Sequence, residues 1–174
     1  MVKAKKSLSQ NFLIDQNISN KIVSQTILKN KDILEIGPGY GFLTDCIIKQ
    51  KPSKIFLIEK DFNLKNYLIE KYKNNENIFI IGEDILKLNL KNFSNLTIVS
   101  NLPYNISSKI ILYLFEFNKH IEEMIFMIQK EQAQKFDYNL PKMNKYKFLT
   151  KIVSKFTRCF DVSPKVFVPK PKIQ

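Results

Sequence analysis

The sequence has few of the residues that build disulfide scaffolds, metal centres or membrane spans. Its two cysteines, Cys46 and Cys159, lie far apart and lack the spacing of a zinc site. No run of 18 apolar residues occurs, so no segment is typical of a membrane-spanning helix. The N-terminal MVKAKKSLSQNFL carries lysines but not the apolar segment of a signal peptide. We therefore expect a cytoplasmic protein of 174 residues, one domain in size, with no metal and no membrane partner.

Glycine is also scarce, which makes its distribution informative. Three of the four glycines stand within one short segment, Gly37-Pro-Gly39-Tyr-Gly41. Glycine permits positive φ and lets a ligand approach the backbone closely. This GxGxG pattern is not the dinucleotide-binding GxGxxG, because Phe42 occupies the third glycine position, and the phosphate-binding GK[ST] sequence is missing. The loop is therefore either a tight strand-to-helix turn or the site of a nucleoside ligand without a pyrophosphate.

Acidic residues are outnumbered by basic ones. The chain has 16 Asp and Glu residues against 28 Lys and Arg residues, which gives a formal net charge of +12. Such an excess predicts a polyanionic partner, and nucleic acid is the obvious one. All but one of the basic residues are lysine, however, and Asn and Ile are abundant, as expected from an AT-rich coding sequence. The charge alone leaves both explanations open.

Short apolar runs alternate with amphipathic segments along the chain. Strands are predicted at residues 32–36, 54–59, 77–81, 96–100 and 123–129, and helices at 15–29, 42–50, 61–73, 107–117 and 129–136. Asp15 and Ser107 are the expected N-caps of two of these helices. Apolar strands separated by helices are typical of right-handed βαβ units. The predicted fold class is α/β, a doubly wound, mostly parallel sheet with helices on both faces.

Two acidic residues follow successive predicted strands, at the edge of the sheet where such folds bind ligands. Glu59 stands about 20 residues beyond the glycines, where a carboxylate can accept hydrogen bonds from both hydroxyls of a ribose. Asp84 follows the third strand and can accept a hydrogen bond from an adenine amine. Taken singly, Glu59 would be a solvated charge beside Lys60, and Asp84 a helix N-cap. Together with the glycine loop they predict a site for S-adenosylmethionine.

The fourth strand runs into the segment Asn101-Leu102-Pro103-Tyr104. Pro103 has no backbone N–H to donate and restricts Leu102 to extended geometry. The Asn101 amide oxygen and the Leu102 carbonyl can accept the two N–H groups of an exocyclic adenine amine, which aims the nitrogen lone pair at a methyl donor. Tyr104 can stack on a flipped base, an interaction worth roughly 1–3 kcal/mol. We predict that these four residues form the catalytic site of a base methyltransferase.

The sequence resembles the ribosomal RNA adenine dimethyltransferase family over essentially its whole length. The resemblance is carried by SLSQNFLID (7–15), LEIGPGYGFLT (34–44), IEKD (58–61), GEDIL (82–86), NLPYNIS (101–107), MIQKEQAQKF (127–136) and VSPKVFVPKPK (162–172). It implies a Rossmann-like class I methyltransferase that uses S-adenosylmethionine to dimethylate two adjacent adenines near the 3′ end of small-subunit rRNA. It also implies a role in ribosome biogenesis, with rRNA in a pre-ribosomal particle as the partner of a monomeric protein.

The resemblance also assigns roles to individual residues. The methyl-donor contacts fall on Asn11, Leu13, Gly37, Glu59, Asp84 and Asn101, and we also expect Gly39 of the glycine loop to bind the cofactor. The residues alone would have given Asn11 and Leu13 only a role at the entry to a helix. Phe167 resembles the family residue that faces Tyr104 across the target base, although its local surroundings are equally typical of an ordinary packed aromatic.

The sequence departs from the family pattern in two places. The segment Tyr146-Lys147-Phe148-Leu149-Thr150 lacks a glycine that the family usually has there, a change expected to alter a turn but no donor contact. The sequence also stops at Gln174, where the family continues through a last strand and a small helical domain. We expect residues 1–174 to form the S-adenosylmethionine-binding methyltransferase domain, with residues 1–14 as an N-terminal arm.

Two other functions stay open at this point. A large-subunit rRNA adenine methylase of the erythromycin-resistance kind has the same architecture and a similar N-x-P-Y segment, although the QNFLID and GPG forms favour the small-subunit enzyme. A truncated, non-catalytic RNA-binding or ribosome-assembly protein is the third possibility. The presence of Glu59, Asp84 and Asn101 argues against a decayed site.

Overall fold

The computed structural model of the chain describes residues 12–169, which form seven strands and six α-helices. The strands are β1 (Phe12–Leu13), β2 (Asp32–Ile36), β3 (Lys54–Ile58), β4 (Ile78–Ile81), β5 (Leu96–Asn101), β6 (Ile121–Met127) and β7 (Phe167–Val168). The helices are α1 (Gln16–Val23), α2 (Phe42–Lys49), α3 (Phe62–Lys71), α4 (Ser107–Phe115), α5 (Lys130–Phe136) and α6 (Lys145–Val153). Short 3₁₀ turns occupy Ile85–Lys87 and Pro164–Val166.

The five longer strands form one parallel sheet in the order β4-β3-β2-β5-β6. The chain moves outward from β2 through β3 to β4, then crosses back to place β5 on the other side of β2. This reversal makes the carboxyl ends of β2 and β5 the topological switch point, where open α/β sheets bind ligands. The predicted α/β fold with a doubly wound parallel sheet is confirmed.

Side chains of each central strand alternate between two apolar cores, one on each face of the sheet. Ile55 and Leu57 of β3 belong to the core that α1, α2 and α3 cover, and Ile58 belongs to the core beneath α4. Each such fully buried side chain contributes roughly 1.5–3 kcal/mol relative to an exposed one. The double burial explains why these strands read as continuous apolar runs.

Helix α1 ends earlier than predicted. Asp15 is its N-cap as expected, with Oδ1 accepting a hydrogen bond from the Ile18 amide at 3.0 Å. The helix stops at Val23 instead of residue 29, because Leu28 turns into the core while Ile27 is 76% exposed. The prediction that this helix continues to residue 29 was therefore wrong.

Two further local predictions were wrong. Ser107 is the first residue of α4 and not its cap, which is Ile106. The segment Tyr146–Thr150 lies inside helix α6, so its missing glycine does not fall in a turn. Asn144 is the N-cap of this helix, and its side chain accepts hydrogen bonds from the amides of Tyr146 and Lys147 at 2.8 and 3.0 Å. The sequence did not predict α6, because its buried face carries Lys147 and Thr150, which are polar.

The remaining two strands, β1 and β7, form a separate antiparallel ladder. Phe12 pairs with Val168 and Leu13 with Phe167, and the Ile14 amide donates to the Val166 carbonyl at 3.1 Å. Strands of two residues have no readable periodicity, so no pattern in the sequence predicted this pairing. The ladder places the start of the described chain beside its end. Within residues 12–169 no helix is long and apolar enough to cross a membrane.

Candidate active site

A cavity opens at the carboxyl ends of β2, β3, β4 and β5, and it collects most of the residues predicted from the sequence. Its lining includes Leu13, Gly37, Gly39, Glu59, Asp84, Asn101, Leu102, Pro103 and Tyr104. Phe12 and Glu35, which the sequence did not single out as site residues, also line it. Asn11 lies outside the described residues. Phe167 does not line this cavity but faces Tyr104 from a neighbouring groove.

The glycine loop between β2 and α2 has backbone conformations that only glycine adopts without strain. Gly37, Gly39 and Gly41 all have positive φ. A Cβ at Gly39 would come within 2.8 Å of the Phe12 ring, whereas a Cβ at Gly37 would meet no atom within 4 Å. The loop is thus packed on one side at Gly39, and the space beside Gly37 is open for a ligand.

The outer side of this loop is held by the end of α3. The Tyr72 hydroxyl lies 2.7 Å from Asp45 Oδ1 and 3.0 Å from the Gly41 carbonyl. Lys71 Nζ donates to the Tyr40 carbonyl at 2.9 Å and to Asp45 Oδ2 at 2.8 Å. Burial, followed by the hydrogen bond and the negative charge of Asp45, raises the pKa of Tyr72, so the phenol stays protonated as a donor. No pattern in the sequence pointed to this cluster, because it joins residues more than 25 positions apart.

Glu59 is buried, with 6% of its surface exposed, so it is not the solvated charge considered above. One carboxylate oxygen accepts the Asp61 amide at 2.9 Å, and the other accepts the Gly39 amide at 3.3 Å. Burial raises the pKa of Glu59, and these two backbone hydrogen bonds oppose the rise. Each oxygen can accept a second hydrogen bond, and the residue borders the cavity. Glu59 therefore supports the glycine loop and can also bind hydroxyl groups of a ligand.

Asp84 caps the 3₁₀ turn that follows β4. Its Oδ1 accepts the Leu86 amide at 3.1 Å, which is the capping role foreseen from the sequence. Its Oδ2 lies 3.7 Å from the Lys60 ammonium, and both residues border the cavity. Capping leaves the second oxygen for a ligand, which would share it with Lys60.

The Asn101–Tyr104 segment is fixed by its neighbour in the sheet. Asn101 is in register with Met127, and the Leu102 amide donates to the Met127 carbonyl at 3.1 Å. The Leu102 side chain is buried in the core beneath α4, which holds the backbone at the strand end. Burial raises the pKa of Tyr104 to about 12, so its hydroxyl does not serve as a base at neutral pH.

Tyr104 faces Phe167 at the edge of the cavity. The two ring centroids are 6.2 Å apart and the rings are inclined by 74°, an edge-to-face contact. Phe167 is also buried in the core that α1, α2 and α3 cover. In this arrangement Phe167 is a packed aromatic, and the rings do not form a parallel slot for a base.

Glu35 is the most strongly perturbed acid of the site. It is buried at the end of β2 and accepts a hydrogen bond from the Thr44 hydroxyl at 2.6 Å. Burial raises the pKa of Glu35 to about 8. The sequence showed this residue only as the start of the glycine motif, because its burial depends on the tertiary fold. Within the described residues no group of three His, Cys, Asp or Glu side chains could hold a metal ion.

Known proteins with similar sequences point to one family. The profile of the family described as ribosomal RNA adenine dimethylase matches residues 1–174. A protein of Pelagibacter ubique named ribosomal RNA small subunit methyltransferase A is 41% identical over 99% of this chain and 68% of its own length. A protein of the same name from Malacoplasma penetrans is 38% identical over 98% of this chain and 63% of its own length. The chain thus spans about two thirds of the length of these relatives.

Solved structures of similar proteins point to the same family. The 23S rRNA methyltransferase ErmE is 26% identical and superimposes with a TM-score of 0.84, over 94% of this chain and 66% of that one. A dimethyladenosine transferase from Plasmodium falciparum is 25% identical with a TM-score of 0.79, over 93% of this chain and 60% of that one. The sequence match over the whole chain and these structural likenesses establish that the chain belongs to the ribosomal RNA adenine dimethylase family.

Proposed function

We propose that this chain transfers methyl groups from S-adenosylmethionine to the exocyclic amines of two adjacent adenines near the 3′ end of small-subunit rRNA. The observation that carries the proposal is the position of Asn101–Tyr104 in the same cavity as the glycine loop, Glu59 and Asp84. The segment proposed to bind the base and the residues proposed to bind the nucleoside therefore share one space. The small-subunit target is supported by the relatives named ribosomal RNA small subunit methyltransferase A.

The residues of the cavity suit a nucleoside. The Glu59 carboxylate can accept hydrogen bonds from the hydroxyls of a ribose, and Asp84 Oδ2 can accept a hydrogen bond from the amine of an adenine. The open space beside Gly37 admits a ligand against the backbone, and Leu13 contributes an apolar wall. When bound, S-adenosylmethionine supplies an electrophilic methyl group. Asn11 is proposed as a further contact on the strength of the family resemblance alone.

The residues at the end of β5 would orient the acceptor. The lone pair of an adenine amine is delocalised into the ring, which makes the nitrogen a poor nucleophile. Hydrogen bonds to the Asn101 amide oxygen and the Leu102 carbonyl favour a pyramidal nitrogen with its lone pair directed outward. Tyr104 can stack on the base at the edge of the cavity, where Phe167 contacts the tyrosine ring edge-to-face. The amine loses its proton after alkylation, so these residues act by orientation and electrostatics and not as a general base.

A large-subunit rRNA adenine is the second candidate target, because the TM-score to ErmE is 0.84. The same cavity would serve either substrate, since both reactions methylate an adenine amine. The identity to the small-subunit relatives, 38 to 41%, exceeds the 26% identity to ErmE and favours the first target.

The experiment mixes the purified chain with methyl-labelled S-adenosylmethionine and undermethylated small or large ribosomal subunits, then digests the rRNA to nucleosides. We expect labelled dimethyladenosine from the small subunit alone, and none from a chain with Asn101→Ala. Label confined to the large subunit would establish the second candidate target. A wild-type chain that binds the donor but labels neither subunit would support a non-catalytic RNA-binding role and refute the proposal.

The finer assignments follow from this proposal. We propose that residues 1–174 act as one methyltransferase domain, as a monomer, on rRNA within a pre-ribosomal particle in the cytoplasm. The formal charge of +12 supports an RNA substrate.

A further inference from the structure

Helix α6 directs its apolar face away from the protein. Phe148 and Ile152 are 57% and 64% exposed, and Leu149 lies beside them on the same exposed face. The opposite face buries Lys147 and Thr150. A helix on a globular protein normally buries its apolar stripe and exposes its polar one. In α6 three large apolar side chains are instead exposed, which indicates that this face of α6 has a role outside the core.

Polar contacts fix this orientation. Lys147 Nζ donates to the carbonyls of Leu140 and Pro141 at 2.9 and 2.8 Å, so the buried ammonium ties the preceding loop to the helix. Tyr146 packs against Phe136 of α5, with ring centroids 5.2 Å apart. A rotation that buried Phe148 would break these hydrogen bonds and separate Tyr146 from Phe136.

The loop before α6 extends the exposed apolar face, and lysines surround it. We call this region the α6 surface; it comprises Leu140, Met143, Phe148, Leu149 and Ile152 together with Lys142, Lys145, Lys151 and Lys155. All nine of these residues are exposed. None of the four lysines is in an ion pair within residues 12–169.

The chain segment that carries the α6 surface has charged residues of one sign only. Residues 138–160 contain five lysines and one arginine and no acidic residue. Arg158 is neutralised by Asp161, with both carboxylate oxygens at 2.6 Å, and Lys147 is buried. The other four cations face solvent beside an exposed aromatic ring. Lysine is depleted in protein–protein interfaces, whereas it is a principal contact to nucleic-acid phosphates.

We propose that the α6 surface binds single-stranded RNA, with its lysines on phosphates and Phe148 stacked on a base. Basic side chains that follow a backbone, combined with an aromatic platform, are the usual means of binding single strands. The proposal rests on the proposed rRNA substrate and assigns nucleotides next to the target adenines to this surface. Val153 and Lys155 line the same groove as Tyr104 and Phe167, so α6 adjoins the predicted base-binding rings.

The test measures binding of the full 174-residue chain to a fluorescent oligoadenylate of roughly a dozen nucleotides, without methyl donor, over a range of salt concentrations. We expect Lys145→Gln and Lys151→Gln each to make the salt dependence shallower by about 0.7, the value for one phosphate contact on a single strand. Lys119→Gln is the matched control, because Lys119 is also exposed and lies in the turn before β6, at the opposite end of the sheet from the cavity. It should leave the slope unchanged.

Phe148 variants distinguish RNA from an apolar partner. Phe148→Ala and Phe148→Leu should both weaken oligoadenylate binding roughly five-fold or more, because leucine retains apolar area but offers no ring for stacking. Ile27→Ala, at a similarly exposed apolar site, is the control and should have no effect. Unchanged binding in the Phe148 and lysine variants would overturn the proposal. The proposal would also be overturned if Phe148→Ala, but none of the lysine variants, abolished self-association of the chain or its binding to phosphatidylglycerol vesicles.

The surface and the proposed function can fail separately. If the wild-type chain methylates small subunits and the α6 variants do so equally well at limiting subunit concentration, the α6 proposal is wrong and the function stands. If the oligoadenylate results are as expected but no subunit is methylated, the α6 surface is supported and the proposed function is refuted.

Discussion

The acid at the end of β2 gives a pH dependence of stability with a defined sign. Burial raises the pKa of Glu35 to about 8 from its ordinary value of 4.5. The folded chain therefore holds a proton on Glu35 at pH values where the unfolded chain has released it. Under these conditions the free energy of unfolding falls as pH rises, from about pH 4.5 to about pH 8.

The size of the change in the free energy of unfolding follows from the difference between the folded and unfolded pKa of Glu35. Each unit of pKa difference between the folded and unfolded chain corresponds to 1.36 kcal/mol, so a pKa raised from 4.5 to about 8 lowers the free energy of unfolding at high pH by roughly 5 kcal/mol. Glu35→Gln keeps the size of the side chain and an oxygen that can accept the Thr44 hydroxyl, but cannot ionise. We expect the variant to match the wild type near pH 5 and to be more stable by a few kcal/mol near pH 9.

The measurement is urea unfolding of both chains across this pH range, with Glu76→Gln as the control. Glu76 is exposed, and its substitution should leave the difference between low and high pH unchanged. If Glu35→Gln has the same pH dependence as the wild type, Glu35 is ionised in the folded chain and the reasoning from burial fails. If the variant is less stable at every pH, the carboxylate makes a favourable contact that outweighs its desolvation.

Three further predictions concern the proposed methyl transfer. Glu59→Ala should weaken S-adenosylmethionine binding by roughly 1.5–3 kcal/mol, as measured by calorimetry, because it removes a charged acceptor, and unchanged affinity would exclude Glu59 from the donor site. Asn101→Ala should lower the rate of methyl transfer far more than donor affinity, because the hydrogen bond from the amine to Asn101 stabilises the transition state. Equal losses in the single-turnover rate and in equilibrium donor binding would make Asn101 a donor-binding residue. Tyr72→Phe should weaken donor binding about ten-fold, because it removes the hydroxyl that lies between the Gly41 carbonyl of the glycine loop and Asp45 of α2; Tyr67→Phe is the control, and an unchanged dissociation constant would mean that the loop is held without the phenol.

The parts of the site that the sequence predicted are those that follow from strand periodicity. Parallel strands end at one edge of the sheet, so residues just beyond their apolar runs meet there, as Glu59, Asp84 and Asn101 do. The strand positions were readable because both faces are buried, which leaves unbroken apolar runs between polar segments.

The parts that the sequence did not predict depend on contacts between distant residues. The hydrogen bond between Tyr72 and Asp45 and the pairing of Leu13 with Phe167 leave no periodic mark in the chain. Helix α6 was missed for a different reason: it exposes Phe148 and Ile152 and buries Lys147 and Thr150, so a rule that places apolar residues inside fails there.

The short ladder between β1 and β7 has a mechanical consequence. Phe12 lies against the glycine loop at Gly39, and Phe167, in the paired strand, lies against Tyr104. The wall beside the loop and the ring beside the predicted base site are therefore carried by one two-residue ribbon. Leu13 and Phe167 of this ribbon are both buried in the core that α1, α2 and α3 cover, which anchors the ribbon to the body of the fold. A substitution that disturbs the packing of Leu13 or Phe167 would therefore displace the wall beside the glycine loop and the ring beside the predicted base site together.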